Sequence, residues 1–278
     1  MVNAKVVAEY YTNQMIDIVS RLNKKPVLAI CHTKLDGSNQ SYIKSLWKLA
    51  EKIGIEIVQY EFSGEPYAAY WTADREHMKH INSIPGIDGI ITMNPFPDTI
   101  RDFITIEKDV EGITSENLKN LYMSRDIRNC PATAYGIMLW LKYMNFDLEG
   151  KTAVVVGRSN TVGRPMFHLF ERAGATCIQC HSHTKNLSKM TQLGDIVVTA
   201  TGVPKLITRD MLKPFSILMD AGFTVVDDKI CGDADYEPIS HSLAEVSPVP
   251  GGVGIMTNIA LMMNLVDRCV EKEGIVYE

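Results

Sequence analysis

The first half of the chain alternates between helical and strand patterns of apolar residues. Apolar positions recur every three or four residues in the helical segments, whereas the strand segments are short apolar runs. Gly54 ends one helical segment, and Pro95 and Pro97 break the last strand. This β-α-β-α-β order predicts a parallel sheet with covering helices. The predicted helices span residues 5–22, 40–53 and 72–82, and the predicted strands span residues 26–32, 55–62 and 86–94.

The second half repeats the alternation with more continuous apolar strands, which are typical of strands buried on both faces of a parallel sheet. The segments KTAVVVG, TCIQC, DIVVTAT and SILMDAG predict strands, and a helix is predicted from Val162 to Ala173. A helix at 133–147 is predicted to join the halves, and a last helix at 255–272 is predicted to return to the first half. We therefore predict an α/β protein whose second sheet binds a nucleotide.

Composition narrows the classes of function. The chain has 278 residues, of which 46% are hydrophobic, and this is enough for a substantial core in one or two domains. Its net charge of -5 gives no bulk attraction to nucleic acid or to an anionic membrane. We find no run that approaches about 18 consecutive apolar residues and no long apolar block of a secretory signal, so we expect a cytoplasmic protein that acts on a small molecule. The six cysteines are scattered, and we expect them to be reduced.

The segment VVVGRSNTVGRP places Gly157 at the end of a strand and Gly163 at the start of a helix. In this context backbone amides and the positive end of the helix dipole can receive a pyrophosphate. Ser159 stands where the second glycine of G-x-G-x-x-G would be, so the pattern alone is a weak signal. A plain strand-to-helix turn is the alternative.

The end of the following strand bears on the choice of dinucleotide. An NAD site usually has an acidic residue there for the ribose 2′-hydroxyl. Here the strand ends in CHSHT (180–184), which has no acidic residue, and Arg158 lies on the preceding loop. A cation and hydroxyl donors suit a 2′-phosphate, so we expect NADP, with NAD as the second choice. A polar turn with one exposed arginine is the alternative.

Several further segments are unusual, above all the long PVPGGVGIMT at 248–257. With VVVGRSNTVGRP they include KDVEG at 108–112, CHSHT at 180–184 and GDIVVTATGVP at 194–204. Together these segments resemble the methylenetetrahydrofolate dehydrogenase/cyclohydrolase family over nearly the whole chain. The resemblance implies a usually dimeric, two-domain subunit that holds folate in a cleft between the domains. Family members transfer hydride from 5,10-methylenetetrahydrofolate to NAD(P), and most then hydrolyse the methenyl product to 10-formyltetrahydrofolate.

The resemblance also implies domain boundaries and site residues. It predicts an N-terminal catalytic, folate-type domain at 1–145, joined by the C-terminal helix 255–278, and a Rossmann-like NAD(P)-binding domain at 146–254. The residues predicted to bind the cofactor are Gly157, Arg158, Ser159, Val162, Gly163, His181, Ser182, Thr201 and Gly202. Those predicted to bind the substrate, a reduced folate, are Tyr42, Leu46, Met93, Pro95, Glu111, Pro250, Gly251 and Gly252. We predict a homodimer and assign no metal site, because the paired His and Cys residues lack companion ligands.

The segment YIKSLWK (42–48) departs from the family at one residue. The family's helix carries Tyr-x-x-x-Lys with both side chains toward the folate, and Leu46 occupies the lysine position one turn after Tyr42. On a helix that turns about 100° per residue, Lys44 and Lys48 point roughly 200° and 240° around from Tyr42. We predict that these two lysines are solvated surface charges.

Two further pocket positions change. The family's Gln-x-Pro, whose glutamine supports that lysine, is Met93-Asn94-Pro95 here, and its pterin-binding aspartate is Glu111. A lysine can donate a proton or polarise water, and leucine can do neither. We therefore predict a dehydrogenase whose cyclohydrolase step is absent or very weak, with Tyr42 and Glu111 as catalytic residues. A relative that acts on another pterin or carbon–nitrogen bond, and a non-catalytic nucleotide-binding protein, are the alternatives.

Overall fold

The structure is a computed structural model that describes residues 1–35, 37–63, 68–123 and 130–275. Contacts between Cα atoms group the chain into two compact units. The three-stranded unit comprises Tyr10–Cys130 and Leu261–Glu278, and the five-stranded unit comprises Met1–Glu9 and Pro131–Ala260. Both contain a parallel sheet with helices in the connections, so the predicted two-domain α/β class is confirmed.

The first part of the chain forms the three-stranded parallel sheet, in the order β2-β1-β3. β1 lies between the other two strands, and its carboxyl end pairs Cys31 with Tyr60 on one side and Thr92 on the other. This register brings the ends of all three strands to one edge. The elements are α1 (Ala4–Ser20), β1 (Val27–His32), α2 (Gly37–Ile53), β2 (Glu56–Glu61), α3 (Ala68–Ser83), β3 (Gly89–Thr92), α4 (Asp98–Arg101) and α5 (Ser115–Met123).

The second part forms a five-stranded parallel sheet in the order β10-β7-β6-β4-β5. Its middle strands β6 and β7 are buried at every residue, which explains their continuous apolar sequence. The elements are α6 (Ala132–Tyr143), β4 (Thr152–Val156), α7 (Gly163–Arg172), β5 (Thr176–Cys180), α8 (Leu187–Thr191), β6 (Ile196–Thr199), a short 3₁₀ helix (Arg209–Met211), β7 (Ile217–Asp220), β8 (Thr224–Val226), β9 (Lys229–Cys231), α9 (Tyr236–Ser240), β10 (Glu245–Val246) and α10 (Val253–Glu273).

The grouping by contacts differs from the predicted boundaries in three places. Residues Met1–Glu9 belong to the five-stranded unit, whereas they were predicted to lie in the first domain. The helix α6 belongs to the five-stranded unit, whereas the boundary at 145 put it in the first domain. The long helix α10 is divided between the units after Ala260, whereas it was predicted to join the first domain as a whole. The predicted division into functional domains stays a prediction.

The helix α10 is long and apolar enough to cross a membrane by length and composition alone. However, 67% of its most apolar window is buried within the protein. An apolar helix that is mostly buried in this way is typical of a core helix.

Candidate active site

A cavity of about 480 Å³ lies at the carboxyl ends of β4, β5 and β6 in the five-stranded unit. The strand β4 lies between β5 and β6, and such a switch in strand order is where open α/β folds bind ligands. The mixture of apolar side chains and polar strand ends suits a nucleotide, which has a flat base and polar phosphates. The lining residues are Val156, Gly157, Arg158, His181, Ser182, Thr184, Leu187, Ala200, Thr201, Val203 and Leu206.

Gly157 and Gly163 allow the loop between β4 and α7 to pack closely. Gly157 has a φ of +131°, and a Cβ there would lie 2.5 Å from the backbone oxygen of Ala200. A Cβ at Gly163 would overlap the backbone oxygen of Gly157. Both positions therefore exclude a side chain, as the nucleotide-loop interpretation requires.

The amides that open α7 already have a partner within the loop. Ser159 Oγ accepts hydrogen bonds from the backbone N–H groups of Val162 and Gly163, at 3.1 and 3.4 Å. The sequence predicted that backbone amides at this helix start receive a pyrophosphate, but here the serine hydroxyl accepts from them. A pyrophosphate would therefore displace Ser159 or bind to neighbouring donors, among them the exposed cation of Arg158.

Sequence reasoning missed Asp233, which holds the loop after β6 beside the cavity. Its buried carboxylate accepts hydrogen bonds from Thr199 Oγ1 at 2.7 Å and from the backbone N–H groups of Thr201 and Val203 at 2.6 and 3.0 Å. Gly202, within this loop, has a φ of +69°. The carboxylate lies 30 to 34 residues along the chain from its partners, so no local pattern predicts the contact.

The PVPGG segment leads into α10 through a cis Val249–Pro250 peptide bond. Gly251 has a φ of +102°, a conformation that favours glycine, and nothing lies within 4 Å of the place of a Cβ. Gly252 is buried, and a Cβ there would overlap the backbone oxygen of Pro248. The two glycines therefore serve conformation and packing respectively, and contact of Pro250, Gly251 and Gly252 with the substrate stays a prediction.

In the three-stranded unit, the KDVEG segment runs beside β3 and brings Glu111 to the end of that strand. Asp109 bridges Ile90 in parallel register, so Glu111 lies level with Thr92. Glu111 Oε2 accepts hydrogen bonds from the Thr92 N–H group at 2.7 Å and from the Thr92 hydroxyl at 3.1 Å. Glu111 Oε1 makes no hydrogen bond with the described residues. This oxygen can therefore accept a hydrogen bond from a ligand.

The electrostatics of this edge are set by burial and by one cation. Burial raises the pKa of Glu111 to about 7, although the Thr92 hydrogen bonds and the Arg101 charge favour the ionised form. Burial, with the added negative charge of Glu111, raises the pKa of the Cys31 thiol to about 12 and also raises the pKa of the Tyr42 phenol. The Glu111 carboxyl can thus gain or lose a proton near neutral pH.

The helix α2 places Tyr42 and Leu46 one turn apart, as predicted from the sequence. Leu46 is fully buried, whereas Lys44 and Lys48 are exposed. Tyr42 is partly buried and close enough to Glu111 to feel its charge. An apolar side chain therefore occupies the position where the family has an ammonium group. Leu46 has no exposed surface that a substrate could touch in this conformation. Its contact with the substrate stays a prediction.

The loop after β3 is held by side chains from neighbouring segments. Met93 is buried, and a cis peptide bond joins Asn94 to the exposed Pro95. Thr33 Oγ1 donates to the Pro95 carbonyl at 3.1 Å, and Asn39 Nδ2 donates to the Asn94 carbonyl at 3.0 Å. Pro95 is therefore presented at the surface of this edge, whereas Met93 is buried.

Asp109 is a structural carboxylate rather than a candidate ligand-binding group. It is 2% exposed and accepts hydrogen bonds from the N–H groups of Gly112 and Thr114 and from Asn117 Nδ2, at 2.7 to 2.9 Å. These bonds hold the turn that follows Glu111. Within the described part of the chain, no group of three or more His, Cys, Asp or Glu side chains could hold a metal ion.

Comparison with protein families agrees with this division of sites. Residues 131–273 match the tetrahydrofolate dehydrogenase/cyclohydrolase NAD(P)-binding domain, and residues 2–111 match the catalytic domain of the same family. The chain belongs to the tetrahydrofolate dehydrogenase/cyclohydrolase family. The bifunctional protein FolD of Fusobacterium nucleatum is a relative with 35% identity over 267 residues, which cover 94% of this chain and 93% of that protein.

Solved structures show the same family fold. The bifunctional methylenetetrahydrofolate dehydrogenase/cyclohydrolase FolD from Campylobacter jejuni has a TM-score of 0.91 and 31% identity, covering 97% of this chain and 98% of that chain. A 5,10-methylenetetrahydrofolate dehydrogenase from the silkworm, Bombyx mori, has a TM-score of 0.86 and 29% identity, covering 98% of this chain and 96% of that chain. The second half of the present chain is accordingly the NAD(P)-binding domain of this oxidoreductase family.

Arg101 is a second residue that sequence reasoning missed in this member of the tetrahydrofolate dehydrogenase/cyclohydrolase family. It ends the four-residue helix α4, which turns its side chain back onto Thr92 Oγ1 and Asn94 Oδ1. A helix this short has too few residues for a periodic pattern to predict it. Arg101 adds a buried cation to the edge where Leu46 replaces the family's lysine.

Proposed function

We propose that this chain is a 5,10-methylenetetrahydrofolate dehydrogenase that uses NADP, or NAD as second choice, and produces 5,10-methenyltetrahydrofolate. The observation that carries the proposal is that one chain combines a nucleotide-sized cavity at Gly157 and Arg158 with the Glu111 carboxylate at the family's pterin-binding position. Bound NADP would supply the hydride acceptor. The protein must then bind and orient the substrate, and the side chains below are proposed to do so.

Glu111 and Tyr42 are the proposed catalytic residues of the three-stranded unit. Glu111 Oε2 is held by Thr92, so Oε1 can accept a hydrogen bond from the N–H groups of a pterin ring. Tyr42 lies near this carboxylate and would position the ring or stack on it. Met93 and Pro95, on the loop after β3, would contact the same substrate. In the five-stranded unit, Pro250, Gly251 and Gly252 are proposed to contact it as well.

We propose that cyclohydrolase activity is absent or very weak, because the side chain at the family's lysine position cannot transfer a proton. Hydrolysis of the methenyl group requires control of a water molecule and its protons. Leu46 is buried and carries no proton, and the exposed Lys44 and Lys48 point away from Tyr42. Arg101 cannot act as a substitute acid or base, because a guanidinium group stays protonated in proteins.

The cofactor preference rests on the ends of β4 and β5. Arg158, His181 and Ser182 line the cavity where the ribose of a dinucleotide would lie, and none of them is acidic. A 2′-phosphate can bind a guanidinium group and hydroxyl donors, whereas an acidic residue would repel it. We therefore propose NADP as the preferred cofactor.

The decisive assay mixes purified protein, 5,10-methylenetetrahydrofolate and NADP or NAD, and follows reduced nicotinamide, methenyl product and formyl product separately. The proposal expects methenyl product to accumulate in proportion to reduced nicotinamide. Formyl product that forms as fast as reduced nicotinamide contradicts the loss of cyclohydrolase. Nucleotide binding without turnover of folate favours a different pterin or carbon–nitrogen substrate, and absence of nucleotide binding rejects an enzyme of this type.

We further propose that the protein acts in the cytoplasm as a homodimer. The hairpin formed by β8 and β9 supports self-association, because it exposes the apolar side chains of Val225, Val226 and Ile230. Sedimentation equilibrium of the purified chain tests this proposal. A species of twice the mass of the chain is expected, and a monomer at micromolar concentration contradicts it.

A further inference from the structure

A buried guanidinium group lies at the carboxyl edge of the three-stranded sheet. The Arg101 side chain is 10% exposed. Its Nε donates to Thr92 Oγ1 at 2.9 Å, its Nη2 donates to Asn94 Oδ1 at 3.1 Å, and its Nη1 pairs with Asp98. A buried charge is costly unless it is paired and hydrogen-bonded, and here each nitrogen of the guanidinium group has a partner. The cation is therefore fixed in one position.

Thr92 connects this cation to Glu111. A threonine hydroxyl has one proton to donate. Because Arg101 Nε donates to Thr92 Oγ1, the hydroxyl proton can point at Glu111 Oε2, which lies 3.1 Å away. The Thr92 backbone N–H group donates to the same carboxylate oxygen at 2.7 Å. The chain of donors thus runs from Arg101 through Thr92 to Glu111, and it leaves Oε1 of Glu111 for a ligand.

We propose that Arg101 is a positioning residue, which acts through the Thr92 hydroxyl to hold the Glu111 carboxylate ionised and directed at the N–H donors of the substrate's aminopyrimidine ring. The identity of that ring rests on the proposed function. The chain of donors rests only on the hydrogen bonds of Arg101, Thr92 and Glu111. The contact with Asn94 extends the same role to the loop after β3, because it ties the peptide before Pro95 to the cation.

The charges that face Glu111 determine in which direction its pKa moves when Arg101 is replaced. Arg101 from α4 favours the ionised carboxylate, whereas Asp109 and burial favour the protonated form. Tyr42 from α2 and Cys31 from β1 face the same group, and both have raised pKa values and so stay neutral near pH 7. Removal of the Arg101 charge therefore leaves Asp109 and burial unopposed by a cation. The pKa of Glu111, already raised to about 7, then rises further.

The test compares the wild type with Arg101→Gln, Thr92→Val and the double variant. Thr92→Val keeps the size of the side chain and the backbone N–H bond to Glu111, so it remains informative if Arg101→Gln does not fold. The first measurement is a ¹³C NMR titration of the glutamate carboxyl carbons, with Glu111→Gln to assign the Glu111 signal. The second is the pH dependence of KM and kcat for 5,10-methylenetetrahydrofolate.

We expect Arg101→Gln to move the Glu111 titration to higher pH by about one unit. The ionised fraction of Glu111 at pH 7 then falls from about one half to about one tenth, so KM should rise about fivefold. Thr92→Val is expected to shift the titration in the same direction. KM of both variants should approach the wild-type value at alkaline pH, and kcat there should change little. If Arg101 acts through Thr92, the double variant should show less than the sum of the single effects.

Asp98→Asn is the matched control. Asp98 is 87% exposed, and its loss leaves the bonds from Arg101 to Thr92 and Asn94 in place. The amide oxygen that Asp98→Asn introduces can still accept a hydrogen bond from Arg101 Nη1, and the Asp98 charge that is lost is exposed to solvent. The titration and KM should therefore move far less than in Arg101→Gln.

Two results overturn the inference. One is a Glu111 titration that does not move in Arg101→Gln or in Thr92→Val. The other is a rise in KM that is the same at every pH, which indicates a structural role only. A wild-type protein that does not turn over the folate rejects the proposed function instead, and the NMR titration still tests the chain of donors. The two failures can therefore be told apart.

Discussion

The carboxyl edges of the two sheets have kept different amounts of the family's chemistry. The edge of the five-stranded sheet keeps Gly157, Arg158 and Thr201 around a nucleotide-sized cavity. The edge of the three-stranded sheet has Leu46, Met93 and Glu111 where the resemblance expects lysine, glutamine and aspartate. A hydride acceptor is supplied by the cofactor, whereas proton transfer depends on side chains. The contrast suggests that the proton-handling step can be lost while the site for hydride transfer is kept.

The largest expected effect comes from restoring the family's lysine. Leu46→Lys places an ammonium group at a fully buried position where Met93 offers no hydrogen bond. We expect the free energy of unfolding to fall by about 3 to 5 kcal/mol, and no cyclohydrolase activity to appear. Urea denaturation measures the first effect and consumption of added methenyltetrahydrofolate the second. Leu46→Met, which conserves volume, should cost less than about 1.5 kcal/mol. Unchanged stability of Leu46→Lys would show that this side chain can reach solvent or a partner.

One added methyl group at the carboxyl edge of the five-stranded sheet should disrupt cofactor binding. In Gly157→Ala the Cβ would lie 2.5 Å from the Ala200 oxygen at a φ of +131°, so the loop must move. We expect NADP to bind at least about 100-fold more weakly, which corresponds to about 3 kcal/mol, within the range for such backbone strain. Isothermal titration calorimetry measures the change.

Gly150→Ala is the control for this experiment. Gly150 also has a positive φ, of +71°, but nothing lies within 4 Å of a Cβ there, and it does not line the cavity. The Gly150→Ala variant should lose some stability and keep its affinity for NADP. Equal losses of affinity in the two variants would mean that the loop geometry at Gly157 is not specific to the cofactor.

Folate binding at the carboxyl edge of the three-stranded sheet should depend on the charge of Glu111. Glu111→Gln removes a charged acceptor, so kcat/KM for the folate should fall by about 10- to 100-fold while NADP affinity stays unchanged. In the wild type, KM should rise as the pH falls through about 7, because burial raises the pKa of Glu111 to about 7 and protonation removes the carboxylate. The pH profile of kcat/KM measures this effect. A kcat/KM that does not change beyond experimental error between about pH 6 and 8 would be evidence against a role of Glu111 in substrate binding.

The smallest expected effect concerns the choice of cofactor. Arg158 is exposed beside the cavity, and an exposed charge contact is worth up to about 1 kcal/mol. Arg158→Gln should therefore weaken NADP binding by up to about fivefold and leave NAD binding unchanged. Arg209→Gln, at an exposed site that does not line the cavity, is the control. Equal weakening of NADP and NAD would show that Arg158 contacts a part that both cofactors share.

The longer elements followed from the sequence because their signals are local. The run VVV in β4 and the helical spacing in α2 each lie within one segment. The hairpin of β8 and β9 was missed because three-residue strands carry no period. Its Asp227–Asp228 turn, with φ of 49° and 59°, was nevertheless a usable signal, because aspartate is favoured in such turns.

The site followed from the sequence only in part, and for a physical reason. Glu111 and Gly157 lie in recognisable segments, whereas Arg101 and Asp233 matter through partners that the chain brings to them from elsewhere. Arg101 reaches Thr92 because α4 turns back on β3, and Asp233 reaches Thr199 across 34 residues of intervening chain. Neither contact has a local pattern, since hydrogen bonds of this kind depend on the tertiary fold.

The proposed loss of cyclohydrolase activity can be tested without the cofactor. Purified protein is mixed with 5,10-methenyltetrahydrofolate alone, and its conversion to 10-formyltetrahydrofolate is compared with the rate in buffer and in the presence of a bifunctional relative. Our account predicts that the protein leaves the buffer rate unchanged, while the same preparation reduces NADP with the methylene substrate. Hydrolysis at a rate that matches the relative's would contradict it.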